Sequence, residues 1–157
     1  MGKQKKGTVR IGTSNIVVPG PKLSFPVAFQ QKSRLHYYSS LFNTLEVNST
    51  FYKVPMPSTF EKWSVDVPED FRFTIKLWKE ITHSKHLKHD LDHINTFLQA
   101  AERMGKKKAC LLIQFPGKIT LEYYTELKKK FIRIKEEDPQ KKWRKSDRVQ
   151  KPNLVYK

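Results

Sequence analysis

The chain has 157 residues and a net charge of +16, from 31 Lys and Arg against 15 Asp and Glu. This length suits a single domain, and a hydrophobic content of 38% excludes a chain that is disordered throughout. The charge favours an anionic ligand or nucleic acid as a partner, although a solvated lysine-rich surface is its commoner explanation. The basic runs are not interleaved with aromatic residues as they are in known DNA- or RNA-binding motifs.

The cysteine content and the start of the chain bear on its location. Cys110 is the single cysteine, so an internal disulfide is impossible, which fits a reducing compartment. The basic start MGKQKKG is not followed by an apolar run, and no apolar run in the chain has the length of a membrane span. We therefore expect a cytoplasmic protein without a secretory signal and without a membrane partner.

Four apolar segments have the pattern of strands, and segments with helical periodicity separate them. The strand-like segments are 8–14, 44–48, 71–77 and 109–115. The helical stripes are Leu35, Tyr38, Leu41 and Phe42, then Phe60 and Trp63 behind a capping box at Ser58 to Glu61, then Leu91, Ile94, Leu98 and Ala101 ending at Gly105, and finally Tyr124, Leu127, Phe131 and Ile134 with Thr120 as cap.

The alternation of strands and helices predicts a parallel sheet with right-handed crossovers. Strand starts recur at roughly 30 to 40 residues, close to the unit length of an eight-fold barrel of about 250 residues. The predicted fold class is therefore α/β, with about the first four parallel (β/α) units of a TIM-type (β/α)8 barrel, a truncated half-barrel. A flavodoxin-like open sheet is the alternative, but residues 12–26 do not form the glycine-rich loop that it needs after the first strand.

The end of the chain departs from this pattern. A fifth strand is due near Trp143, but the sequence there is polar until Leu154. We assign residues 7–137 to the N-terminal half of a barrel and residues 138–157 to a basic, poorly ordered tail. Because a half-barrel has two open sheet edges, we also expect a homodimer in which these edges pair.

The strands predict where a site lies. Leu45 and Val47 alternate with Glu46 and Asn48, and the third strand has the same two-residue period. If helices cover the apolar faces, the polar residues gather near the carboxyl ends of the strands, where barrel enzymes place their chemistry. We expect the catalytic residues to be Glu46, Lys76 and His83, and the ligand-binding residues to be Ser14, Asn48, Tyr52 and Gln114.

Glu46 and Lys76 are expected to be neighbours on adjacent strands and to form a charge pair. Glu46 would then act as a base or electrostatic group and Lys76 would hold an anion, or the two would form an ion pair with a structural role alone.

A cluster of histidines follows the third strand, at His83, His86, His89 and His93. Zinc can use this spacing, but the chain has no His-Glu-x-x-His motif and no paired cysteines. We therefore predict no metal site, and the sequence names no cofactor. Cys110, early in an apolar strand, is expected to be an unreactive thiol in the core.

Four stretches carry a resemblance to a known family. The sequences VRIGTS, LFNTLEVNSTFYKVPMPSTFEKW, VPEDFRFTIKLWKEITHSKHL and ACLLIQFP resemble the YecE-like family, uncharacterised (β/α)-barrel proteins of a domain-of-unknown-function class. The match runs in order from about Val9 to Glu137. Family members usually have a Gly-Trp-Ser-Tyr-like stretch after the first strand, where this chain has Asn15-Ile16-Val17-Val18, and the second half of the family domain is absent, as in a truncated product.

The resemblance implies a TIM-type barrel with a distant fold-level similarity to endonuclease IV and xylose isomerase. By that analogy alone, a phosphate- or sugar-containing ligand and phosphodiester or sugar chemistry are expected. The alternative is a basic nucleic-acid-binding protein without catalysis, and whether the chain is an enzyme stays open.

Overall fold

The sheet of this protein, seen in a computed structural model that describes residues 8–85, 90–117 and 123–137, is parallel throughout. Its three regular strands are β1 (Thr44–Val47), β2 (Arg72–Lys76) and β3 (Lys108–Leu112), and they lie in the order β1-β2-β3. Sequential order with parallel pairing is the arrangement of successive (β/α) units in a barrel. The predicted α/β fold of parallel units is therefore confirmed, and three of the four predicted strands form regular strands.

The first predicted strand, residues 8–14, is extended but does not form a regular strand. It runs beside β1, where Ser14 forms an isolated parallel bridge with Glu46. Three backbone hydrogen bonds join it to β1 and its flanks: Asn43 N to Ile11 O at 3.3 Å, Glu46 N to Thr13 O at 3.1 Å, and Asn15 N to Glu46 O at 2.9 Å. The segment thus occupies the position of the first barrel strand at the edge of β1.

Gly12 makes this close approach possible. A Cβ atom at Gly12 would lie 1.9 Å from the carbonyl oxygen of Thr44, far inside van der Waals contact. Only a residue without a side chain fits between the two backbones here.

In the described parts of the chain, six helices connect and flank the strands. They are α1 (Arg34–Leu41), α2 (Ser49–Tyr52), α3 (Pro57–Val65), α4 (Lys79–Thr82), α5 (Leu91–Glu102) and α6 (Tyr124–Glu136), and short 3-10 turns cover Lys22–Ser24, Val27–Phe29 and Gly105–Lys107. Side chains cap two of them, because Ser33 accepts from the His36 N–H at the start of α1 and Asp90 accepts from the Asp92 N–H at the start of α5.

Some of the predicted helix ends differ from those observed. The capping box at Ser58 to Glu61 is wrong, because α3 begins earlier, at Pro57, without a side-chain cap. Proline needs no N–H partner at the first helical position, and its fixed φ already suits a helix. Gly105 has φ of 57° and begins a 3-10 turn after α5 has ended at Glu102. The predicted cap Thr120 and the predicted tail 138–157 lie outside the described residues.

The hydrophobic core lies between one face of the sheet and the helices. Alternate strand residues are buried, namely Leu45, Val47, Phe73 and Ile75, and the helices add Tyr38, Phe60, Ile94, Phe97 and Leu98. Because side chains of a strand alternate between faces, the polar residues between them lie on the face away from the helices. This confirms the expectation that the helices cover the apolar face, and it leaves the polar face to form a site.

No helix within the described ranges is long and apolar enough to cross a membrane.

Candidate functional site

The carboxyl end of β1 carries a chain of hydrogen bonds among three side chains. Ser14 donates its hydroxyl proton to Oε1 of Glu46 at 2.9 Å, and Nδ2 of Asn48 donates to Oγ of Ser14. A hydroxyl that accepts one bond and donates another passes polarisation along the chain. The arrangement therefore fixes the Glu46 carboxylate with a neutral donor and leaves its second oxygen without a protein partner among the described residues.

Asn15 anchors the same end of the sheet from the neighbouring segment. Its φ of 65° is in the left-handed region, which asparagine tolerates better than most residues. Its side-chain oxygen accepts from the Asn48 N–H at 3.2 Å. Oδ1 of Asn48 itself is buried and makes no hydrogen bond with any residue that the structure describes.

Thr50 joins the carboxyl ends of β1 and β2. This side chain is fully buried, and its hydroxyl lies 3.1 Å from the Val47 carbonyl oxygen and 2.7 Å from that of Lys76. The single-turn helix α2 is thereby fixed at the ends of both strands. The residue that follows, Phe51, lies beside the side chain of Lys76 at the end of β2.

The Phe51 ring is the centre of a second cluster, at the end of β2. The Lys76 ammonium lies 4.5 Å from the ring centroid, in the range of a cation–π contact. The rings of His83 and Tyr52 each lie with their centroids 5.1 Å from that of Phe51, in edge-to-face geometry. Tyr52 is 69% exposed, so most of its side chain is open to solvent.

The surroundings of His83 in this cluster favour its neutral form. Its pKa is lowered first by partial burial and then by the positive charges of Lys76 and Lys79. Nδ1 of His83 lies 2.8 Å from Oγ1 of Thr82, a fully buried hydroxyl. Because a buried hydroxyl needs an acceptor for its proton, we assign Thr82 as the donor, which places the proton of neutral His83 on Nε2.

The predicted charge pair between Glu46 and Lys76 is not formed. The register places Glu46 opposite Thr74, so Lys76 is two residues further along β2. Strands lie about 4.8 Å apart and two residues span about 6.6 Å, which separates the two Cα atoms by about 8 Å. Instead, Glu46 accepts a hydrogen bond from Ser14, and Lys76 makes a cation–π contact with Phe51.

Two residues of the fourth predicted strand, Gln114 and Cys110, bear on the site and on the core. Gln114 lies two residues beyond the end of β3, is half-buried, and its side chain makes no hydrogen bond with a described residue. Cys110 is half-buried opposite Thr74, on the polar face, so its assignment to the core is wrong. The register explains this, because Leu111 faces the helices together with Ile75.

The histidine cluster does not form a metal site within the ranges that the structure describes, where no three potential ligands come together. His93 packs on Trp78 with ring centroids 4.7 Å apart. His86 and His89 lie outside the described residues.

Sequence reasoning missed three contributors to the site. Phe51 and Thr82 lie on the single-turn helices α2 and α4, which are too short to show a period in the sequence. Asn15 acts through a left-handed backbone, and the dipeptide Ser14-Asn15 after an apolar strand was the available signal for such a turn.

The fold and the site define a class: a parallel (β/α) protein of the TIM-barrel type, with polar side chains at the carboxyl ends of its strands. The family described as "Protein of unknown function DUF72" matches residues 10–139. The chain belongs to this family, and the resemblance to YecE-like proteins is confirmed.

Two curated relatives show how much of the family domain is matched. UPF0759 protein YecE of Escherichia coli K12 is 30% identical over 83 residues, which are 53% of this chain and 30% of that protein. UPF0759 protein YunF of Bacillus subtilis strain 168 is 26% identical over 98 residues, which are 59% of this chain and 35% of that protein. The match thus spans about a third of the length of each relative.

Crystal structures of a DUF72 family protein from Enterococcus faecalis V583 have a similar fold. One superposes with a TM-score of 0.55 at 28% identity and covers 62% of this chain and 38% of that one. Another has a TM-score of 0.52 at 26% identity. The similarity supports the assignment of the sheet to part of a barrel.

Proposed function

We propose that the carboxyl ends of β1 and β2 bind an anionic ligand that carries a phosphate group. The observation that carries this proposal is the pair of lysines acting on His83, one of which, Lys76, lies over the Phe51 ring. Lys76 and Lys79 both lower the pKa of His83, and neither lysine forms an ion pair with a carboxylate in the described part of the chain. Two ammonium groups close to a neutral imidazole without a protein counter-ion favour an external anion.

The groups of the cluster suit a phosphate ester. Lys76 supplies a point charge held in place by the Phe51 ring. His83 supplies Nε2–H as a hydrogen-bond donor, because its Nδ1 is bonded to Thr82. Tyr52 is exposed at the edge of Phe51, and in this proposal it stacks on a sugar or base attached to the phosphate.

The first cluster supplies the chemistry that the cations lack. Glu46, oriented by Ser14 and Asn48, is an acceptor for a ligand hydroxyl and a candidate general base. Its distance from Lys76, about 8 Å between Cα atoms, fits a ligand whose phosphate and hydroxyl are separated by a few bonds. A sugar phosphate or a phosphodiester has this form, and in this proposal Gln114, two residues beyond β3, orients it.

The test follows the imidazole resonances of His83 by NMR, assigned with a His83→Asn variant, against pH with and without inorganic phosphate or glucose 6-phosphate. A phosphate beside His83 stabilises its charged form, so its pKa rises when the anion binds. Lys76→Met should reduce the affinity for inorganic phosphate at least about tenfold, the equivalent of about 1.4 kcal/mol. The control Lys62→Met, on the exposed surface of α3, should leave it unchanged.

Two results would overturn the proposal. One is a pKa of His83 that does not respond to either anion in the unmodified chain. The other is binding of a DNA oligonucleotide with a steep salt dependence that Lys76→Met and Glu46→Gln do not alter, since that would assign the charge to a general nucleic-acid surface. Glu61→Gln, an exposed carboxylate on α3, is the matched control for Glu46→Gln.

A further inference from the structure

Lys130, in the middle of α6, has a side chain that is fully buried. Its ammonium group donates to the carbonyl oxygen of Ile81 and lies 3.5 Å from the hydroxyl oxygen of Ser84. These two acceptors are on either side of Thr82 and His83. A lysine 49 residues away in the sequence from Ile81 therefore contacts the turn that carries His83.

The carbonyl of Ile81 needs a partner. It belongs to the last turn of α4, and the final carbonyl groups of a helix have no partner within the helix. A cation at the carboxyl end of a helix is also favourable because the carbonyl groups there carry partial negative charge. Lys130 meets both requirements, because its ammonium group donates to this carbonyl oxygen and places a positive charge at the end of α4.

No carboxylate neutralises Lys130 within the described ranges. The nearby acidic residues of its own helix have other partners, because Glu126 pairs with Lys129 at 3.0 Å and Glu136 pairs with Arg133 at 3.1 Å. Burial accordingly lowers the pKa of Lys130 to about 8. A methionine of similar length would avoid this desolvation cost, so the lysine supplies something to the turn that packing alone does not.

We infer that Lys130 is a positioning residue of the anion site, which holds the turn from Ile81 to Ser84 so that His83 faces Phe51. This inference rests on the proposed function and adds to the anion site a residue of α6, the helix that follows β3. The geometry of the site at β2 then depends on α6, although no side chain of this helix contacts the ligand.

The experiment uses the full chain with Lys130→Met and, as control, Lys129→Met, which removes an exposed lysine of the same helix. The readouts are the pKa of His83 without ligand, the affinity for inorganic phosphate, and the free energy of unfolding. We expect Lys130→Met to fold, to move the pKa of His83 back toward its ordinary value, and to weaken phosphate binding severalfold. Lys129→Met should change none of the three.

A second variant, Ser84→Ala, removes one acceptor of Lys130 and should move the pKa of His83 in the same direction by a smaller amount. The inference is overturned if Lys130→Met changes the stability but leaves the pKa of His83 unchanged. It is also overturned if Lys130→Met does not fold, because the lysine would then serve the whole fold. If the unmodified chain does not bind phosphate, the proposed function fails, while the pKa of His83 without ligand still decides the role of Lys130.

Discussion

The carboxyl ends of β1 and β2 are adjacent in the sheet but carry side chains of opposite charge. At β1, the negative charge of Glu46 is met by neutral donors, Ser14 and beyond it Asn48. At β2, the positive charges of Lys76 and Lys79 are met by an aromatic ring and a neutral imidazole. The Glu46 carboxylate has a direct donor within the protein, whereas no carboxylate of the described residues pairs with Lys76 or Lys79. That difference is the basis of the proposal that a ligand's charge is held at β2.

The largest expected effect concerns the buried cation under the β2 cluster. The pKa of Lys130 is lowered from 10.5 to about 8, so between these values the unfolded chain binds more protons than the folded one. The free energy of unfolding therefore increases as pH rises through this window, by up to about 3 kcal/mol.

Urea unfolding at pH 8 and at pH 10.5 measures this increase in the unmodified chain and in Lys130→Met. Tyrosines ionise in the same range, so the difference between the two proteins isolates the lysine. A difference that does not vary with pH would show that Lys130 is as well solvated in the folded chain as in the unfolded one.

The next effect concerns the Thr50 hydroxyl, which bonds the carboxyl ends of both β1 and β2. Thr50→Val keeps the shape of the side chain but removes the hydroxyl that bonds the backbone of both strands at its buried position. We expect a loss of about 1 to 2 kcal/mol in the free energy of unfolding, the typical cost of a buried acceptor left without its donor.

Thr96→Val, on the exposed side of α5, is the matched control and should cost little. If Thr50→Val were neutral, the two strand ends would be joined by packing alone, and the two clusters would be independent.

The smallest effect is expected at β1. Ser14→Ala removes the donor to Glu46, but the site is open to water, so water replaces the hydroxyl and the loss of stability should stay below about 1 kcal/mol. Its effect on Glu46 should nevertheless be visible as a changed NMR chemical shift of the Glu46 carboxylate carbon, because the Ser14 hydroxyl donates directly to that group. Ser64→Ala, an equally simple truncation on α3, should leave that chemical shift unchanged. A Glu46 chemical shift that is the same with and without the Ser14 hydroxyl would mean that the hydroxyl does not orient the carboxylate.

The alternation of polar and apolar residues was enough to predict the faces of β1 and β2. Glu46 and Lys76 lie on the polar face because helices need an apolar face to pack on, and that requirement is local to each strand. The pairing of the two side chains was not predictable, because the register between parallel strands depends on crossovers of more than twenty residues that leave no mark in either strand.

Contacts between residues that are far apart in the sequence were also not predictable. Phe51 reads as one more apolar residue until Thr50 fixes it beside Lys76. Lys130 reads as part of the basic run 128–130, with nothing in its neighbours to mark it as the buried member of the three.

The two glycines described above differ in what they would allow in a library of single substitutions. Gly105 is required for its left-handed backbone and has open space around it, so asparagine and aspartate, which tolerate that backbone, should survive selection there. Gly12 lies against the Thr44 carbonyl, and no change of backbone preference creates room for a side chain. Position 12 should therefore retain glycine alone, although it is exposed and lies at the edge of the sheet.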